Sequence, residues 1–386
     1  ESSIMQISHF KSAHKIITGY GAVSQIKEQI THLGISQPFI ITDQGVVQSG
    51  TLKTVTKFLS DFKFGIYDKV KPEPEPDVVL DCKHQFSSGD YDGIIAVGGG
   101  SVIDIAKCVA VYDEKLGPLE NLFGENTITA RSIPLIALPT TAGTGSEVTN
   151  IAILSDTSAQ VKKGIVSDFL LPDIAIIAPE MTIYCPPSVT AASGVDALVH
   201  AIEAYLSNFS SPITDALAIK AMELISLALP KAYCKPDNMQ AREDMSTGSL
   251  LAGMAFGNAG VGAVHALAYP LGGRFHISHG VSNALLLPHV MEYNKVACLE
   301  KFTPIAKAFG LPIEQKSHQY SADCVIEFLH QLCHDVNIPR SLQKLDIPQD
   351  AIPELAREAI KVERLLRNNP RKLTLVEIES IYQAAY

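Results

Sequence analysis

One carboxylate and one imidazole a helical turn apart raise the question of what chemistry this chain performs. In the segment Ser193 to Tyr205, Asp196 and His200 stand at i and i+4 in an Ala/Leu-rich stretch with no internal proline, which reads as a helix. That spacing places the two side chains one above the other on a single face. Such a pair alone is an ordinary helix-stabilising contact. It is also half of a divalent-metal site, and the chain offers His265 and His279 downstream as candidates for the other half.

The elements that must carry these residues differ between the two halves of the chain. Apolar runs at Pro38–Asp43, Phe64–Asp68, Gly93–Val97, Pro134–Leu138 and Ile174–Ala178 read as strands, and Ser101 to Tyr112 reads as a helix. The Pro-rich run Lys71–Asp77 is a connector. Strands alternating with helices predict a parallel, Rossmann-like sheet. After Pro186-Pro187 the pattern turns helical, with segments at 215–229, 243–254, 322–333 and 352–358 and with Ser188 or Thr190 as the cap of the first helix. The expected division is an α/β domain over 1–187 and an all-helical domain over 188–386. The reading is therefore an N-terminal Rossmann-like α/β domain plus an all-α C-terminal domain.

Composition narrows the function classes. The 386 residues are 46% hydrophobic, enough for a sizeable core. A net charge of −10 argues against nucleic acid or an anionic membrane surface as partner. The odd set of seven cysteines contains no C-x-x-C pair, which suits free thiols in a reducing compartment. With no apolar run near the ~20 residues that span a bilayer and no signal-peptide pattern at the start, the expectation is a cytoplasmic protein.

Two loops have the composition of a nucleotide cradle. Gly98-Gly99-Gly100-Ser101 follows a strand and opens a helix, so its backbone can approach an anion at the helix's free N–H groups. It is not the G-x-G-x-x-G fingerprint, and a tight turn explains it equally well. Asp104 and Lys107 follow on the new helix, where a solvated ion pair is the plain reading. Pro139-Thr140-Thr141-Ala-Gly143-Thr144-Gly145-Ser146-Glu147 follows another strand and presents hydroxyl and amide donors. Asp43, at the end of the strand 38–42, is placed to bind the adenosine ribose or simply to cap the following turn.

The strings G-G-G-S-x-x-D-x-x-K at 98–107, P-T-T-A-G-T-G-S-E at 139–147 and G-V-D-A-L-x-H at 194–200 resemble the iron-containing (group III) alcohol dehydrogenases. The segment 262–280 and the ending Asn369–Thr374 agree, so the resemblance runs in order along essentially the whole chain. It implies a dehydroquinate-synthase-like fold with catalysis in the cleft between the two domains. Asp196, His200, His265 and His279 fall on the family's four metal-ligand positions. Gly99, Gly100 and Ser101 fall on its diphosphate loop, and Thr140, Thr141 and Thr144 on its second nucleotide loop. A lysine near the cofactor would be Lys163 by spacing, with Lys162 as the alternative. The implied cofactors are NAD and Fe(II), with zinc or another divalent metal able to fit. The metal would acidify an alcohol or polarise an aldehyde or ketone while hydride passes to or from the nicotinamide.

One position departs from the pattern. Where the family has His-x-x-x-His at the third ligand, this chain has Tyr269 as the second member. A phenol titrates near pH 10 and relays protons poorly at neutrality. Tyr269 and His276 are thus the two candidates for the proton and substrate contact. Glu203 reads as part of a solvated helix face, and the remaining histidines as structural or surface residues. The resemblance also implies a homodimer, with the apolar stretch Ile4 to Phe10 as a candidate pairing strand. Two alternatives stay within the superfamily, a glycerol-dehydrogenase-like polyol oxidation and a dehydroquinate-synthase-like lyase. A third, of another class, is a non-catalytic nucleotide- and metal-binding scaffold.

Overall fold

A computed structural model describes residues 7–386. The first half supplies strands β1 (Lys15–Thr18), β2 (Pro38–Ile41), β3 (Gly65–Tyr67), β4 (Gly93–Gly98), β5 (Gly124–Glu125), β6 (Leu135–Pro139), β7 (Ile151–Asp156), β8 (Val161–Val166) and β9 (Ile174–Ile177). Between them lie helices α1 (Ile26–His32), α2 (Gln44–Gln48), α3 (Thr51–Thr56), α4 (Pro76–Ser87) and α5 (Gly100–Val111). The second half contributes α6 (Pro187–Leu206), α7 (Pro212–Cys234), α8 (Met239–Ala259), α9 (Ala263–Phe275), α10 (His279–Asn294), α11 (Leu299–Ala308), α12 (His318–Asp335), α13 (Ile352–Ala359), α14 (Glu363–Leu366) and α15 (Leu375–Ala384).

The main sheet is parallel throughout, in the order β1-β9-β6-β4-β2-β3. Its inner strands are buried along their whole length, as a parallel sheet covered on both faces requires. Alternate residues serve opposite faces. Ile94 and Ala96 pack with α4 and α5, while Ile95 and Val97 pack with α1 and α3. The chain runs outward from β2 to β3 and then returns to β4 on β2's other side. The strand order therefore reverses between β2 and β4, and the carboxyl ends at such a reversal are where α/β sheets bind ligands.

The sequence reading missed a second sheet. β7 and β8 form an antiparallel hairpin, and β5 joins β8 in parallel. Half-buried residues and charged positions obscure its alternation. The connector 71–77 is shorter than expected, because Pro76 takes the first turn of α4, where a missing N–H costs nothing. Neither Ser188 nor Thr190 caps α6. The helix starts on Pro187 without a side-chain cap, and Thr190 instead accepts from Arg242 Nη1 at 3.0 Å. Residues 7–10 form no strand, and the rest of the stretch Ile4–Phe10 lies outside the described residues.

The helices after Pro187 enclose a separate apolar core. Close approach is written into it: a Cβ at Gly194 would lie 2.4 Å from Leu229 Cδ1, so α6 and α7 meet where a glycine permits it. A second glycine contact joins the halves. Gly145, at φ +66°, has its virtual Cβ 2.6 Å from the Cα of Gly253 on α8. A Gly145→Ala change adds a left-handed alanine and an overpacked backbone contact, each costing about 1–3 kcal/mol. The expected result is a clearly lower thermal midpoint, and an unchanged midpoint would show that the two backbones do not meet this closely.

Candidate active site

Three helices deliver the four chemical groups to one point. Asp196 and His200 lie on α6, His265 on the first turn of α9, and His279 is the first residue of α10. One ligand atom from each lies within 4.8 Å of all the others. Asp196 Oδ1 is the hub, 3.7 Å from His200 Nε2, 3.6 Å from His265 Nε2 and 3.4 Å from His279 Nε2. Ligands bonded tetrahedrally at about 2.1 Å would be separated by roughly 3.4 Å, so the donors are spaced to share one ion. His265 Nε2 is buried and has no protein hydrogen-bond partner, which is how an atom reserved for a metal presents itself. One carboxylate and three imidazoles form a mixed oxygen/nitrogen set suited to a first-row divalent metal.

Electrostatics prepare the same set. Burial holds His200 and His265 neutral, their pKa values lowered to about 3, so each offers a lone pair at pH 7. Burial also opposes the charge on Asp196, but the three imidazoles around it outweigh that effect and hold the carboxyl well below its usual range. Asn283, one turn along α10 from His279, donates to Asp196 Oδ1 at 2.9 Å.

Glu203 corrects the sequence reading. It is 4% exposed rather than solvated, and it accepts from His265 Nδ1 at 2.6 Å and from Val264 N at 3.0 Å. The first contact fixes the His265 tautomer with Nε2 free, and the second satisfies an open donor at the start of α9. The signal was present, since positions 196, 200 and 203 form one helical stripe. Phe256 on α8 stacks on His200 with centroids 4.1 Å apart. The ending Asn369–Thr374 also supports the site, because Asn369 Oδ1 accepts from Ala263 N at 3.2 Å and so holds the start of α9.

The nucleotide loops converge on the same cavity, of about 850 Å³. Gly100, Ser101, Asp104 and Thr144 line it together with His200, His265 and His279. Gly98, Gly99, Thr140 and Thr141 do not line this cavity but pack against one another beside it. Thr140 N donates to Gly98 O at 3.0 Å, and a Cβ at Gly99 would lie 3.3 Å from Thr141 Oγ1. Gly100 has no room for a side chain at all, with Thr144 Oγ1 2.6 Å from its virtual Cβ. Asp104 and Lys107 are not a solvated pair. Lys107 is fully buried and Asp104 half-buried in the cavity wall, and they clamp the second loop and its hairpin to α5. Asp104 accepts from Ser146 Oγ at 2.5 Å and Ile153 N at 3.1 Å, and Lys107 Nζ donates to Thr149 Oγ1 and Ile151 O. With both its oxygens occupied, Asp104 positions the loop.

The remaining candidates divide. Strand alternation turns Lys162 to the cavity, where it pairs with Glu73, and sends Lys163 to the other face beside Asp156. Tyr269 lines the cavity one turn from His265, and its hydroxyl accepts from Arg364 Nη2 at 3.3 Å. His276 does not reach it: the residue ends α9 in a left-handed conformation at φ 56° and is exposed. Asp43 follows β2 at the sheet's reversal point. Its Oδ1 caps α2 by accepting from Val46 N at 2.9 Å, and its Oδ2 makes no hydrogen bond among the described residues. Arg364 and the Lys162–Glu73 pair were invisible in sequence because nothing in their spacing relates them to the ligands.

Comparison with known proteins agrees with this geometry. Residues 13–179 match the family of iron-containing alcohol dehydrogenases, and residues 190–386 match the C-terminal region of the Fe-containing alcohol dehydrogenase family. The chain is 42% identical to long-chain-alcohol dehydrogenase 1 of Geobacillus thermodenitrificans, covering 95% of this chain and 94% of that one. It is 39% identical to 1,3-propanediol dehydrogenase of Klebsiella pneumoniae, covering 95% and 96%. Its fold superposes on the crystal structure of a 1,3-propanediol oxidoreductase with a TM-score of 0.95 at 38% identity, over 99% and 100% of the chains. With the metal ligands, the glycine loop and the two-part fold in place, the chain belongs to the iron-containing alcohol dehydrogenase family and is an oxidoreductase that interconverts alcohols and aldehydes.

Proposed function

We propose that the protein is an NAD-dependent dehydrogenase whose divalent metal is Fe(II), held by Asp196, His200, His265 and His279. The carrying observation is the convergence of these four donors, with the three histidines in the wall of the cavity that Gly100 and Ser101 also line. When bound, the metal supplies Lewis-acid polarisation of the alcohol or carbonyl oxygen and the dinucleotide supplies the hydride carrier.

The chain's own groups do the rest. Glu203 and Asn283 hold His265 and Asp196 in their orientations, and Phe256 fixes the plane of His200. Gly100 and Ser101, opening α5, offer backbone N–H groups to a diphosphate, with Thr144 against them. Tyr269 faces the substrate space. Burial raises its pKa, against the opposing effect of Arg364, so it keeps its proton and acts as a hydrogen-bond donor rather than a base. Among the solved relatives, sulfoacetaldehyde reductase from Bifidobacterium kashiwanohense, at 29% identity, is in complex with NAD+. The seven cysteines, all unpaired, suit a cytoplasmic setting. A homodimer fits β1, which stands at the sheet's edge.

Metal analysis combined with an alcohol and aldehyde activity panel tests the proposal: iron-dependent turnover is expected, whereas bound metal without turnover would favour a binding scaffold. Glu203→Ala should weaken metal affinity about 10–100-fold, read by chelator competition, and His200→Ala should lose most of the metal and the activity. NAD should be preferred over NADP. Asp43's carboxylate would face the 2′-phosphate, and like charges a few ångströms apart cost on the order of 1–4 kcal/mol near a surface. The expected preference in kcat/KM is roughly tenfold to several hundredfold. Because glycine caps a helix almost as well as aspartate, Asp43→Gly should relax the preference by improving NADP use without unfolding α2. Equal use of both dinucleotides by the unaltered protein would remove Asp43 from the cofactor site. Light scattering at the mass of a monomer would overturn the dimer.

A further inference from the structure

The charged residues around the cavity do not balance. Lys162 pairs with Glu73, Arg367 pairs with Glu125 at 2.9 Å, and both oxygens of Asp104 are taken by Ser146 and Ile153. Arg364 alone has no acidic partner among the described residues. It is half-buried on α14, and its one side-chain hydrogen bond goes from Nη2 to Tyr269 Oη at 3.3 Å. An arginine cannot shed its charge, and its fork retains further N–H donors. The guanidinium has a built seat. A Cβ at Gly164 on β8 would lie 3.1 Å from Nη2, so a glycine there leaves the space the group fills. Tyr269, which steadies it, is one turn from the metal ligand His265 on the same face of α9.

We infer that Arg364 is the anchor for an acid group on the substrate, so that this enzyme acts on small alcohols and aldehydes bearing a carboxylate or sulfonate. The inference rests on the dehydrogenase reading above. A neutral alcohol leaves the half-buried cation unpaired, whereas an oxyacid accepts two parallel N–H bonds from the fork. The Tyr269–Arg364 hydrogen bond sets the acid group on the Tyr269 side of the metal ligands, within the same cavity. Arg364 is a specificity-determining residue, and it leaves the hydride step itself to the metal and the dinucleotide.

The test compares 3-hydroxypropanoate with 1-propanol, and 2-hydroxyethanesulfonate with ethanol, on the iron-loaded protein with NAD. The acid-bearing member of each pair should have the higher kcat/KM. In Arg364→Leu that acid-to-neutral ratio should fall about 10–150-fold, chiefly through KM, with Arg364→Lys in between. Rising salt should erode the ratio only in proteins that retain the charge. A wild-type preference for the neutral alcohols, a ratio unchanged in Arg364→Leu, or an effect confined to the KM of NAD would overturn the inference. Absence of turnover on every alcohol would sink the dehydrogenase reading instead. The anchor is then judged by thermal shift: 3-hydroxypropanoate should stabilise the iron-loaded wild type and not Arg364→Leu, and equal or absent stabilisation of both would refute it.

Discussion

A single buried carboxylate oxygen organises the C-terminal half of this enzyme. Asp196 Oδ1 lies within 3.7 Å of an Nε2 from each of three histidines and accepts a hydrogen bond from Asn283. A charge so deeply placed is tolerable only with partners on every side. Those partners must come from different helices, because one helix offers only its own stripe. The demand explains why α6, α9 and α10 converge, why α9 begins where Glu203 and Asn369 can hold it, and why Gly194 lets α6 press against α7. Packing and chemistry therefore impose the same geometry.

The N-terminal half is constrained differently. Its sheet needs nothing unusual to fold; the specific feature is how its loops are fastened. Asp104 and Lys107 direct their hydrogen bonds to the segment from Ser146 to Ile153. Placing a buried Lys107 and a half-buried Asp104 there is costly, and the result is a loop whose hydroxyls stand still against the glycine turn. Catalysis by positioning depends on such fastening, since the reacting atoms must be held at fixed separation.

Much of this was legible in the sequence because periodicity and glycine-rich turns are local properties. The buried strands, the long helices, the change of character at Pro187 and the four ligands in order could all be read there. What escaped was set by contacts between distant segments. Glu203 was assigned to a wet face although its position relative to His200 placed it on the ligand stripe. His276 was considered for its nearness in sequence to His279, but the end of α9 turns it outward. Lys162 and Lys163 are neighbours that strand alternation sends to opposite sides, and only a recognised hairpin could have separated them. Arg364 comes from a short helix about a hundred residues downstream, where no local pattern announces it.

The meeting of Gly145 with Gly253 has a consequence for how the two halves communicate. With hydrogen in place of a side chain on both partners, the contact is main chain against main chain, and no rotamer can yield within it. Gly145 is flanked by Thr144 and Ser146 of the nucleotide loop, and Gly253 lies three residues from Phe256, which stacks on His200. The pair thus works as a gauge block between the dinucleotide's cradle and the metal's ring of imidazoles. Variation at either glycine would reset the distance between donor and acceptor while leaving every reactive group in place.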